Sequence, residues 1–307
     1  ATVGWTPASD IVSAFEPVAP PTQKALFGFG TTGSYTAVTN LVNSSGVVGS
    51  DVTGVGTARH GLAAANFGGD KAIFGYGYSS AARVATTNLV SNEGVVASDT
   101  SGVGSVRYHL AAATFGGDKA IFGYGNTGSM VSITNLVSSS GVVATDTTGV
   151  GTARNGLGAA EFGVGKAIFA YGNGGSDVSM SNLVSNLGVV ATDVSGVGTA
   201  RRFLAAASYG GDKAIFGYGI GGSSTATTNL VNSSGVVAAD VSGVGTARAE
   251  LAATSYGGDK AIFGYGVTGS NVSMTNLVNN SGVVAADVDG VGTARNTLAA
   301  AGYSFSA

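Results

Sequence analysis

The sequence predicts an all-β protein built from one repeated unit, and three observations predict it. First, Lys24, Lys71, Lys119, Lys166, Lys213 and Lys260 each open a copy of K-A-(I/L)-F-(G/A)-(Y/F)-G, at intervals of 47, 48, 47, 47 and 47 residues. A period of that size marks stacked or radial repeats rather than two ordinary domains. Second, apolar runs are short and broken within a few residues by Gly, Ser, Thr or Asn, with no helical periodicity. Third, an alanine-rich segment beginning at Leu62, Leu110, Leu157, Leu204, Leu251 and Leu298 also occurs six times, yet the chain enters the repeats on a K-A-I-F segment and leaves on an alanine-rich one.

Residues 1–23 stand apart. They hold all four prolines and the only tryptophan, Trp5. Pro17 to Gln23 reads as a semi-rigid spacer, because Pro fixes φ and lacks the donor a central strand needs. Trp5, Ile11 and Phe15 are its apolar anchors, and the segment is expected to be a docking arm for assembly. Residues 24–307 form the repeat domain.

Within each repeat the alanine-rich strand comes first and ends at Gly-Gly-Asp, as at Gly68 to Asp70, which suits a tight hairpin. The K-A-I-F strand follows, then a variable loop such as Thr31 to Tyr35. The third strand is T-N-L-V, and an Asn/Ser/Gly turn leads to a fourth, G-V-V-A-x-D. G-V-G-T-A-R connects to the next copy. Four antiparallel strands at this spacing are one blade of a β-propeller, so the expectation is a single six-bladed propeller. Its last strand, Leu298 to Tyr303, would pair with Lys24 to Gly30 in a shared blade, removing two exposed sheet edges.

The order T-A-R-x-x-L-A-A-A, Gly-Gly turn, A-I-F-G-Y-G, T-N-L-V resembles the kelch motif over residues 24–307. It departs from kelch where an aromatic splits the double glycine and where Val-Val replaces the usual fourth-strand tryptophan. The wording T-N-L-V-S/N-x-x-G-V-V-A-x-D-x-x-G-V-G-T-A-R is similar to repeats in predicted tail or other virion proteins of tailed bacteriophages. That resemblance implies a structural or adhesion role in a virion, with other virion proteins or a host surface receptor or glycan as partner. The alternatives are a glycan-binding propeller lectin at an extracellular surface, or a kelch-like or sialidase-like enzyme.

Composition bounds the chemistry. Charged residues are a tenth of the chain and the net charge is −3, so no basic field favours nucleic acid or an anionic membrane. Absence of cysteine removes thiolate sites and disulfides. No apolar run is long enough for a helical membrane span, and the N-terminus lacks the layout of a secretory signal. Gly28 to Gly33 satisfies G-x-G-x-x-G, but no helix follows to hold a phosphate, so it is a turn. Asp287-Val-Asp289-Gly290 lacks the distal glutamate of a calcium loop.

Twelve of the fourteen basic residues are the repeat lysines and the repeat arginines Arg59, Arg107, Arg154, Arg201, Arg248 and Arg295. A charge used six times in one setting is a structural partner; the rival reading is a ring of arginines holding an anion at one mouth of the axial channel. No nucleophile–base pair or ligand cluster is evident, so no catalytic, metal or cofactor residue is assigned and no cofactor is expected. What varies between copies is the pair after each arginine and the loop after the K-A-I-F strand, which alternating strand direction places on one face. That face is the candidate binding surface: His60, Tyr108, His109, Asn155, Arg202, Phe203 and Glu250, expected as exposed loop positions.

Overall fold

The computed structural model describes residues 22–307, so the proposed arm anchors Trp5, Ile11 and Phe15 lie outside the described residues. No helix occurs among the described residues, and the strands form small antiparallel sheets in a repeated, propeller-like arrangement. In the unit built around Lys119, Ala111–Phe115 pairs with Lys119–Gly123, which pairs in turn with Thr134–Val137. The same order recurs as Gly158–Phe162, Lys166–Ala170 and Ser181–Val184; as Ala205–Tyr209, Lys213–Gly217 and Thr228–Val231; and as Ala252–Tyr256, Lys260–Gly264 and Thr275–Val278. The middle strand is buried on both faces, which is why K-A-I-F is apolar without alternation.

Two units differ. Around Lys71 the sheet gains a strand: Arg59–His60 joins the long hairpin of Lys71–Ser79 and Arg83–Val90 through Tyr78 and Ser79. Around Lys24 the sheet is made from both ends of the chain, because Ala299–Tyr303 pairs with Lys24–Gly28 along its whole length, and Lys24–Gly28 pairs with Thr39–Val42. The chain ends meet where other units have their hairpin turn: Gln23 N donates to Ser304 O at 2.8 Å. Thr22 and Gln23, assigned above to the spacer, belong to this body. Thr22 is buried, its carbonyl accepts from Gly258, and its Oγ1 occupies the place where a Cβ on Gly302 would stand.

The expected fourth strand does not form. Thr39 bridges Val52 and Val42 bridges Val48, so three steps along T-N-L-V face four from Val48 to Val52, and the other units repeat this mismatch. The extra residue is a bulge; it breaks the ladder into two isolated bridges and leaves a three-stranded sheet.

The core lies between sheets. Phe122 meets the Tyr76 ring of the preceding unit at 5.2 Å, and equivalent pairs continue through Tyr265 against Phe27 at 5.1 Å. Tight packing explains a reciprocal exchange. In five units an alanine of the first strand faces a glycine of the second, as Ala111 faces Gly123. A methyl on Gly123 would lie 2.7 Å from Phe169 Cζ. In the remaining unit Gly158 faces Ala170, so the pair still carries one methyl, on the other strand.

Candidate functional site

The repeat arginines are scaffold. All six are fully buried. Arg154 is representative: Nε donates to Tyr171 O at 2.9 Å, Nη1 to Thr152 O at 3.1 Å and Nη2 to Asn182 Oδ1 at 2.7 Å. Its guanidinium lies 4.3 Å above the Tyr124 ring of the neighbouring unit, and Asp193 is 3.9 Å away. Burial lowers these guanidinium pKa values, Arg59 to about 10, against the opposing pull of the aspartates. Burial alone would raise the Asp193 carboxyl, but hydrogen bonds from Thr152 and Asn182 outweigh it and hold the group below its ordinary value. With no exposed guanidinium, these arginines do not form an anion-holding ring.

The two variable segments do share a face. Residues after the repeat arginines bridge to the loops after the K-A-I-F strands, as Tyr108 to Asn126, Asn155 to Asn173 and Arg202 to Ile220. The second residue of each variable pair is fixed more firmly than an exposed loop position. Gly61 N donates to Thr297 O, His109 N to Gly61 O, Gly156 N to His109 O, Phe203 N to Gly156 O, Glu250 N to Phe203 O and Thr297 N to Glu250 O. These six bonds run in one cycle. Every member has positive φ, from 49° at Thr297 to 61° at Gly156. The glycines make room for their neighbours: a Cβ on Gly61 would meet the His109 ring, and one on Gly156 the Phe203 ring. All seven residues expected as exposed, His60, Tyr108, His109, Asn155, Arg202, Phe203 and Glu250, are instead half-buried, His109, Phe203 and Glu250 because the cycle holds their backbone.

Beside this cycle lies an aromatic patch that breaks the repeat. Tyr35 stacks on His60 at 4.7 Å and 22°, and His60 reaches Tyr78, Tyr108 and His109 at 5.9, 6.3 and 6.0 Å. Tyr108 packs on His109 at 4.4 Å, and His109 meets Phe203 edge-on at 4.9 Å. Arg83 lies 5.5 Å over the Tyr108 ring, and its buried Nε has no hydrogen-bond partner among the described residues. Burial lowers the pKa of His60, and burial with the nearby His60 takes His109 down to about 4, so both imidazoles are neutral at pH 7. His109 Nε2 is enclosed and unpartnered.

Four of the seven residues proposed from sequence, His60, Tyr108, His109 and Phe203, therefore come together. Arg202 pairs with Asp177 at 2.7 Å and lies 5.7 Å over the Phe203 ring, and Glu250 lines the opening above the leucines together with His109 and Phe203. Asn155 bridges to Asn173 and has no ring contact of its own among the described residues. Tyr35, Tyr78 and Arg83 were missed. The signal for Tyr35 and Tyr78 was a large aromatic at a position where other copies place Asn, Ile, Met or Asp.

A cavity of about 110 Å³ is lined by residues from all six alanine-rich strands. Toward its Gly-Gly-Asp end stand Asn66, Thr114, Glu161, Ser208 and Ser255, with Thr22 filling the place left by Gly302. Burial pushes the Glu161 carboxyl up to about 7, although a backbone hydrogen bond from Gly165 pulls the other way. Between its ordinary value and about 7 the folded chain holds a proton that the unfolded chain has lost, so stability falls as pH rises through that window. Glu161→Gln should match the parent near pH 4 and exceed it at pH 8 by about 1–3 kcal/mol. Urea midpoints at the two pH values measure this; a pH-independent difference would refute it.

Among the described residues no group of three or more His, Asp or Glu is placed to hold a metal ion. No protein-family model matches the chain, and no curated protein matches it.

Proposed function

We propose that the chain is a non-catalytic binding module folded as a six-bladed kelch-like β-propeller, serving as a tail or fibre component of a tailed-phage virion in assembly or host recognition. The carrying observation is a division of labour between faces. The repeat arginines are buried inside the scaffold, whereas the residues that depart from the repeat gather at one mouth as linked rings beside Arg83, whose Nε has no partner. Rigid scaffolds that present variable loops are a common basis for recognition. The blade number and closure are supported by the six-membered hydrogen-bond cycle, the Phe27–Tyr265 contact and the cavity lined by all six alanine-rich strands. The virion assignment rests on the repeat wording given above. The aromatic patch also favours a glycan as the surface recognised.

Mass spectrometry of purified particles, paired with adsorption assays using antibody against residues 24–307, tests this reading. Detection in particles and blocked adsorption support it. Absence from particles, or unimpeded adsorption by antibody-coated particles, would show a different role.

A further inference from the structure

Nothing in the scaffold requires the aromatic patch. The positions of Tyr78 and Tyr108 are taken elsewhere by residues such as Asn126, Asn173, Ile220, Asn155 and Ala249, and that of Tyr35 by Met130, Asp177 or Asn271, in the same bridges. The rings are half-buried, so each keeps part of its surface for a ligand. Two nitrogens beside them, Arg83 Nε and His109 Nε2, lack partners, and Arg83 is the one arginine among the described residues with no hydrogen bond to a carbonyl or carboxylate.

We infer that this patch binds a pyranose carrying a carboxylate, an inference that rests on the recognition role proposed above. Each group then has a counterpart. The apolar C–H face of a pyranose suits a tyrosine ring, and its hydroxyls suit the tyrosine phenol hydroxyls, which both donate and accept. A planar carboxylate matches the guanidinium fork of Arg83, which no acid of this chain engages. A nucleic acid would call for many cations, and the face supplies Arg83 and an Arg202 already paired with Asp177.

The test is titration of the intact chain with methyl glycosides of glucuronic, galacturonic and N-acetylneuraminic acid, with methyl glucoside as the neutral comparator. The ring signals of His60 and His109 are read by NMR. At least one acidic glycoside should shift both and bind about tenfold or more tightly than the glucoside, as expected for a charge-assisted pair. Arg83→Gln should abolish that preference, Tyr35→Ser with Tyr78→Ser should remove binding of either kind, and Lys119→Gln, at a Gly-Gly-Asp turn on the opposite face, should change nothing. Unmoved ring signals with all three acids, equal affinity for acid and glucoside, or a preference that survives Arg83→Gln would each overturn the inference. If particles still adsorb through this chain in that event, the recognition role stands and only the ligand class falls.

Discussion

Deletion of residues 297–307 is expected to abolish cooperative melting, whereas deletion of 305–307 alone should leave the transition where it was. The longer deletion removes Ala299–Tyr303, which pairs at all five positions with Lys24–Gly28, together with Leu298 and Tyr303, 5% and 2% exposed. Burying a side chain of either size stabilises by about 1.5–3 kcal/mol, before any ladder hydrogen bond is counted. Losing both, with the alanines between them, reaches the order of a whole domain's stability, about 5–15 kcal/mol. The freed edge of Lys24–Gly28 would invite pairing with another chain. Circular dichroism melts and size-exclusion chromatography give the answer; a monomer that melts within a few degrees of the parent would contradict the role given to this strand.

The second large effect is expected at a single buried arginine. Arg154→Met leaves the carbonyls of Tyr171 and Thr152 and the amide oxygen of Asn182 without their donor in the interior. Removing one partner from a buried charged network costs about 3–5 kcal/mol. Arg154→Lys should recover little, because an ammonium cannot serve three acceptors in a fork while lying flat on the Tyr124 ring. Arg202→Met, breaking a partly exposed pair with Asp177, should cost under about 1 kcal/mol. Arg295 is an internal comparison: its Nη2 and Asn40 Oδ1 are both unpartnered, so Arg295→Met should cost about 1 kcal/mol less than Arg154→Met. Urea midpoints at constant slope measure all four, and an Arg154→Met variant within 1 kcal/mol of the parent would remove the arginines from the scaffold.

The repeat made the strands legible. K-A-I-F recurs because its side chains are enclosed on both faces, and Ala111 to Ala113 recur because neighbouring sheets approach one another there. The absence of a fourth strand was not legible, since a bulge is one extra residue in a ladder and V-V-A carries ordinary strand propensity. The place of Thr22 was hidden for another reason: it substitutes in space for a side chain missing from Gly302, 280 positions along the chain. Four of the seven residues of the patch, His60, Tyr108, His109 and Phe203, could be read from the pair after each arginine. Tyr35, Tyr78 and Arg83 could not, because loops look interchangeable until the fold brings Tyr35 onto His60.

The meeting of Gln23 with Ser304 at a hairpin position also gives the molecule a polarity. The strand Ala63–Phe67 runs from the mouth bearing Gly61 to the turn at Gly68, so Gln23 and Ser304 stand at the opposite end from Tyr35, His60 and Tyr108. Five residues of extended chain, roughly 17 Å, separate the two ends. Whatever is tethered through residue 22 pulls on the rear of the molecule, and the ring patch is left pointing away from the tether.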